Sequence, residues 1–170
     1  TFTVTTGTIS VASSSITVNP SVATHLHVSD FTEPTTAGAA HNVTVTAEDA
    51  YGNVATGYVG TVAITSNDVQ AVLPSNYQFL VGDAGIKLLS VTLKTAGEQS
   101  ITATDTVTSS ISGVQTAITV NHGALNHFDF TTISGSKTAG TAYSIMVTAK
   151  DDWDNTVLTY TGNPELTSTS

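Results

Sequence analysis

The amino-acid sequence predicts an all-β protein built from tandem β-sandwich repeats of about 102 residues. Three observations support this: a composition that favours strands, short segments in which apolar and polar residues alternate, and a Thr-Ala-Gly tripeptide at 36–38 that returns at 138–140. Alternation with a period of two places every second side chain on one face of a strand. Self-similarity at a fixed period is typical of repeated structural units. We therefore expect several small sandwiches rather than one large domain.

Composition limits the possible partners. The 170 residues are 39% apolar, which is enough to bury a core, and four Lys against thirteen acidic residues give a net charge of -9. Nucleic acid is excluded as a main partner because phosphate contacts need cationic side chains. No apolar run approaches the roughly 18 to 20 residues that cross a bilayer, so membrane insertion is not expected. The chain has no Cys, so its stability must come from packing, assembly or oxygen-liganded ions.

The repeat extends far beyond the first tripeptide. Identical residues 102 positions apart include Asn19/Asn121, His25/His127, Val45/Val147, Asp49/Asp151, Asn53/Asn155 and Tyr58/Tyr160. The register divides the chain into three parts. Residues 1–19 are predicted to be the C-terminal strands of a preceding repeat, 20–121 a complete repeat, and 122–170 the N-terminal half of a following repeat. We expect the parent array to be longer.

About seven strands are predicted in the complete repeat. Leu26 and Val28 alternate with histidines, and Val43, Val45 and Ala47 alternate with polar residues. Further strands are predicted at Tyr58–Ser66, Tyr77–Val81, Ile86–Lys94, Gln99–Thr104 and Ile111–Val120. Turn-forming residues separate them, at 49–53, 82–85 and 96–97. Seven short strands in about 100 residues are typical of an immunoglobulin-like antiparallel β-sandwich.

The predicted linkers are short. Residues 19–21 and 121–123 separate the repeats, and linkers of this length join neighbouring domains end to end with limited swing. The array is therefore expected to be a fairly stiff rod.

Two stretches of the complete repeat resemble a known family. Residues 43–53 with 56–62, and residues 83–105, are similar to tandem immunoglobulin-like repeats of the invasin and filamin type, found in very large bacterial and archaeal cell-surface proteins. The resemblance implies a secreted, extracellular stalk or adhesive array without catalytic residues. Residues 151–155 depart from the family loop, which usually carries a Gly.

The acidic loops are candidate calcium sites. Asp49 with Asn53, and Asp151, Asp152 and Asp154 beside Asn155, place oxygen ligands of the kind that Ca²⁺ prefers within one short loop. The same residues also form turns by bonding their own backbone, without an ion. The histidines are not expected to share a metal site, since His27 is replaced by Asp129 in the following repeat.

Two further features concern sugars. Asn42 begins an Asn-Val-Thr sequon, and the strand alternation places Asn42 on the solvent side, where N-glycosylation is possible. Tyr51 and Trp153 occupy the same loop position in successive repeats. Such an aromatic ring either stacks on surface glycans or closes the end of the sandwich.

These observations favour a non-enzymatic structural protein. The chain contains no nucleophile elbow, zinc-binding helix or phosphate loop. The leading hypothesis is an adhesive stalk whose partners are the neighbouring repeats. One alternative is a filament subunit in which chains exchange strands, because residues 122–170 hold only the first strands of a repeat. The other is a carbohydrate-binding module that uses the loop aromatics.

Overall fold

The structure, a computed structural model, describes residues 2–7, 9–15 and 17–167. Residues 1, 8, 16 and 168–170, which belong to the two predicted outer repeats, lie outside the described residues. The strands are β1 (Thr3–Thr6), β2 (Ile9–Ala12), β3 (His25–Ser29), β4 (Thr35–Thr36), β5 (Ala40–Glu48), β6 (Thr61–Ser66), β7 (Tyr77–Gln78), β8 (Ile86–Thr92), β9 (Gly97–Asp105), β10 (Ser112–Asn121), β11 (His127–Phe130) and β12 (Val147–Lys150). A single 3-10 turn, Val81–Asp83, is the only helical element among the described residues, and none there spans a membrane. The all-β prediction is confirmed.

Strands β3 to β10 form two facing sheets, which we call the central sandwich. One sheet is antiparallel with the order β3-β5-β8, and the other has the order β4-β10-β9-β6-β7. In the second sheet, β4 pairs with β10 in parallel while all other neighbours are antiparallel. The architecture is therefore a sandwich with one short parallel pair at an edge.

The core follows the predicted alternation. Leu26 and Val28 of β3 are buried while His27 between them is exposed, and Val43, Val45 and Ala47 of β5 are completely buried. The facing sheet adds buried side chains from Val62, Ile64, Ile101, Ala103, Ile118 and Val120. Because each large apolar side chain contributes about 1.5–3 kcal/mol when buried, this core is the main source of stability.

Three details differ from the prediction, beyond strand ends that shift by one or two residues. The strand predicted at Tyr77–Val81 ends at Gln78, and Val81–Asp83 forms the 3-10 turn. The strand predicted from Tyr58 begins only at Thr61, because the Tyr58 N–H donates to the carbonyl of Ala55 and closes a turn. Tyr58 instead packs edge-on against Phe79, with 5.1 Å between ring centroids. Strand β4 was not predicted, since two residues are too few for alternation to be recognised.

Strands outside the central sandwich form two hairpins. β1 pairs with β2 near the N-terminus, and β11 pairs with β12 in the segment that follows the sandwich. β11 and β12 lie 102 positions beyond β3 and part of β5. The division into repeats of that length is not tested by this arrangement alone and stays a prediction.

Candidate functional site

The loop after β5 is organised by one carboxylate. Oδ1 of Asp49 accepts hydrogen bonds from the backbone N–H groups of Tyr51 (2.9 Å) and Asn53 (3.0 Å). The side-chain amide of Asn53 donates to both Asp49 oxygens, at 3.2 and 3.1 Å. This is the turn-forming use of Asp and Asn that the sequence offered as the alternative to calcium.

The same carboxylate also holds the linker. Oδ2 of Asp49 accepts the N–H of Ser21, 28 residues earlier in the chain, at 2.9 Å. This bond is the largest cause that lowers the pKa of Asp49 to about 2, with the Asn53 and Tyr51 bonds acting in the same direction against burial. Ser21, four residues before β3, is thereby fixed to the loop after β5.

Asp151 repeats this arrangement in the following segment. Oδ1 accepts the N–H groups of Trp153 and Asn155, both at 2.9 Å, and Oδ2 accepts the N–H of Gly123, again 28 residues earlier, at 2.7 Å. Asp151 is completely buried. Burial raises the pKa of Asp151, but the bonds from the Asn155 side chain and from Gly123 outweigh it, so the pKa lies below its ordinary value.

Asn155 extends this second loop across to the central sandwich. Its Oδ1 accepts the N–H of Ala96 at 2.8 Å, and its Nδ2 donates to the carbonyl of Lys94 at 2.7 Å. Nδ2 also donates to Asp151 at 2.9 Å. A single buried amide therefore connects the Asp151 loop to the turn between β8 and β9. We call the contacts between residues 20–121 and 122–167 the junction.

The receiving turn is itself held by a buried carboxylate. Oδ2 of Asp68 accepts the N–H groups of Lys94 (2.6 Å) and Thr95 (3.0 Å), and Oδ1 accepts the Thr95 hydroxyl at 2.6 Å. Burial raises the pKa of Asp68, and the hydrogen bonds from Thr95 and Lys94 more than offset this, lowering it overall. Both sides of the junction are thus built around an anchored aspartate.

Trp153 completes the junction by packing against Gly38. A Cβ atom placed on Gly38 would overlap Cη2 of Trp153, so the indole requires a glycine there. Gly38 also has a φ of +84°, which favours glycine independently. The carbonyl of Trp153 accepts the Gln70 side chain at 3.2 Å. Trp153 therefore closes the end of a sandwich, whereas Tyr51, at the equivalent position, is 86% exposed.

The predicted calcium ligands do not converge on one point. Asp152 accepts the side-chain amide of Asn126, and Asp154 lies beside His127, with Oδ1 3.3 Å from Nε2. Both oxygens of Asp49 and of Asp151 already accept N–H groups. The calcium site stays a prediction. Here the carboxylates of Asp49, Asp151 and Asp152 accept hydrogen bonds. The amide of Asn53 donates to Asp49, and Asp154 lies apart beside His127.

The predicted glycosylation site is accessible. Asn42 lies on β5 opposite Ser90 of β8, and its side chain is exposed. Its modification stays a prediction.

Two open cavities border the linkers. One of about 650 Å³ lies between residues 19–23 and the Tyr58–Asp105 pair, and one of about 600 Å³ lies at the junction beside Asn155. In the first, the Tyr58 hydroxyl donates to the Asp105 carboxylate, and burial with this bond raises the pKa of Tyr58. The pair joins a loop to the end of β9, a structural role.

The sequence did not reveal the partners across the junction. Gly38, Gln70, Lys94 and Ala96 have no chemistry that marks them as a binding surface. The available signal was the recurrence of Thr-Ala-Gly at 36–38 and of Asp and Asn four residues apart, which indicated repetition but not contact.

Comparison with known proteins gives two similar structures. No protein-family model matches the chain, and no curated protein does. Domains 4–9 of the surface layer protein SbsC are 21% identical, with a TM-score of 0.44, over 88% of this chain and 22% of that one. The Escherichia coli adhesin FdeC is 18% identical, with a TM-score of 0.46, over 79% of this chain and 43% of that one. The chain spans less than half the length of either structure.

Proposed function

We propose that this chain is a segment of an extracellular structural or adhesive stalk, in which immunoglobulin-like units are stacked into a stiff array. The observation that carries the proposal is the junction. Its side chains bind the backbone of the neighbouring unit and hold the linker, so that one unit is oriented by the next. Stiffness and reach are then the function, and the neighbouring units are the principal partners.

The physical support comes from the way the linker is held. A three-residue linker alone would still allow the two units to pivot about its backbone torsions. Here the N–H of Gly123 is bound to Asp151, Asn155 spans to Lys94 and Ala96, and Trp153 packs on Gly38. Contacts on several sides of the linker resist bending in more than one direction.

The surface location rests on composition and on the family resemblance. A strongly acidic, cysteine-free chain rich in Thr and Ser suits an exposed protein that does not bind nucleic acid. The proposal assigns no catalytic role. Antibody labelling of intact cells expressing the parent protein should stain the surface, and staining only after permeabilisation would contradict the location.

Single-molecule pulling tests the stalk. The repeat predicted at residues 20–121, which contains the central sandwich, should unfold as one cooperative event that releases roughly 35 nm of chain at about 3.5 Å per residue. A protein whose role is mechanical should resist extension under force until that unfolding event. Gradual extension without a discrete step would contradict the proposal.

Filament assembly by strand exchange is the second candidate. Phe130, Met146 and Leu166 are 56%, 62% and 62% exposed around the β11–β12 hairpin, and an added strand would cover them. Sedimentation velocity over a hundredfold concentration range distinguishes the two candidates. A sedimentation coefficient that stays at the monomer value at every concentration favours the stalk. A mass that grows with concentration favours the filament.

Sugar binding is the third candidate, favoured only by the exposed ring of Tyr51. A glycan array probed with the native chain and with Tyr51→Ala tests it. A signal that is lost in the variant supports a carbohydrate-binding module. An array on which the native chain gives no signal rules out this candidate.

A further inference from the structure

A cluster of three potential metal ligands lies outside the hydrogen-bond network of the junction. His127 and Asp129 are on β11, and Asp154 is in the loop after β12. Nε2 of His127 is 3.3 Å from Oδ1 of Asp154 and 3.8 Å from Oδ1 of Asp129, and all three atoms lie within 4.8 Å of one another. His127 is half-buried and both carboxylates are exposed, so an ion can enter from solvent.

Residues outside the cluster fix the orientation and tautomer of His127. The side-chain amide of Asn126 donates to Asp152, which turns Oδ1 of Asn126 towards His127. This oxygen is an acceptor 3.1 Å from Nδ1 of His127, so Nδ1 carries the hydrogen of the neutral ring. The lone pair of Nε2 then points at the two carboxylates. An imidazole whose other nitrogen donates to an oxygen is the usual arrangement around a metal-bound histidine.

No cationic side chain among the described residues neutralises this group of acceptors. The nearby ammonium of Lys150 donates to the backbone carbonyl of Asp154 (2.9 Å) and to the Thr156 hydroxyl (3.3 Å), not to a carboxylate. Three acceptors facing one another repel, and a cation between them removes that repulsion. The acidic chain as a whole also attracts cations.

We propose that His127, Asp129 and Asp154 form a zinc-binding site. Ligands 2.0–2.1 Å from a tetrahedral zinc ion lie about 3.3–3.4 Å apart, which matches the His127–Asp154 distance. The distance of 3.8 Å between Nε2 of His127 and Oδ1 of Asp129 shortens to this value with a small rotation of the exposed Asp129 side chain. Water fills the fourth position. Imidazole together with carboxylate selects zinc over calcium, which prefers oxygen ligands alone.

The equivalent place in the central sandwich lacks this site. His25 occupies the position of His127, but His27 and Gly52 stand where Asp129 and Asp154 would be. His25 instead bonds to Glu48, with 3.1 Å between Nε2 and Oε2. A zinc ion would therefore mark one unit of the array and would tie β11 to the loop that carries Trp153 and Asn155.

Isothermal titration of the 170-residue chain with zinc chloride tests the proposal. We expect one zinc per chain, at least tenfold tighter than calcium. Asp154→Gly should weaken zinc binding at least tenfold. This variant should keep its fold, because Asp154 has a φ of +64° and glycine adopts that conformation readily. His127→Ala should abolish binding, and His25→Ala is the matched control that should leave it unchanged.

The tryptophan reports the same event independently. Trp153 is the only Trp in the chain and adjoins Asp154, so zinc should change its fluorescence in the native chain and not in Asp154→Gly. The proposal would be overturned if the native chain did not bind zinc, or if Asp154→Gly bound zinc with the same affinity as the native chain. Either result would show that the three residues form a surface ion-pair cluster only. The stalk proposal does not depend on this outcome.

Discussion

Replacing Asn155 by Ala should loosen the junction while leaving the central sandwich and the β11–β12 hairpin folded. The substitution removes three hydrogen bonds, to the N–H of Ala96, the carbonyl of Lys94 and the carboxylate of Asp151. Only the bonds to Ala96 and Lys94 cross the junction, and each contributes about 0.5–1.5 kcal/mol, so the junction should weaken by about 1–3 kcal/mol. Since about 1.4 kcal/mol is a factor of ten, the docking equilibrium should fall roughly 5- to 140-fold.

Hydrogen exchange measures this loss directly. The Ala96 amide donates to Asn155, so its exchange should accelerate in Asn155→Ala, and the fluorescence of Trp153 should shift towards that of an exposed indole. Asn53→Ala is the matched control. It removes the equivalent amide, whose partner is Asp49, and should leave Ala96 protected. Unchanged protection of Ala96 in Asn155→Ala would refute the role given to this side chain.

Three further predictions concern single groups. Gly38→Val should displace Trp153 and expose its fluorescence to acrylamide, because a Cβ there overlaps the indole; undiminished shielding would contradict the packing. Tyr58→Phe removes a hydrogen bond to a charged partner, Asp105, and should lower stability by about 1.5–3 kcal/mol in urea unfolding; an unchanged urea midpoint would show that the pair contributes nothing. The native fold holds the pKa of Asp49 at about 2, below the ordinary 3.8. The contribution of this carboxylate to the free energy of unfolding is therefore complete above about pH 4 and is lost as pH falls through about 2. The urea midpoint should fall across that window, and less steeply in Asp49→Asn; equal slopes would indicate other carboxylates.

The two sheets could be predicted from the sequence because the strand pattern depends on residues that are close together in the chain. Alternation in β3 and β5 identified Leu26, Val28 and Val45 as core residues, and the structure buries all three. The pairing of Asp with Asn four residues later identified a turn. Both signals depend on neighbours in sequence, where the period of the backbone fixes which side chains share a face.

The junction could not be predicted for the opposite reason. Asn53 and Asn155 each follow an aspartate by four residues and donate to it, yet only Asn155 also bonds across the junction, to Lys94 and Ala96. Likewise Tyr51 is exposed while Trp153 packs on Gly38. The difference arises from which unit lies next to each loop, and that is not encoded within the loop.

The distance between spin labels on either side of the junction tests the central claim most directly. The chain has no native cysteine, so labels can be placed at Ser75→Cys and Leu158→Cys, both exposed, without side reactions. A single narrow distance distribution is expected in the native chain, broadening when Asn155→Ala is added. A broad distribution in the native chain would contradict a stiff array, because the two units would then swing freely about the linker.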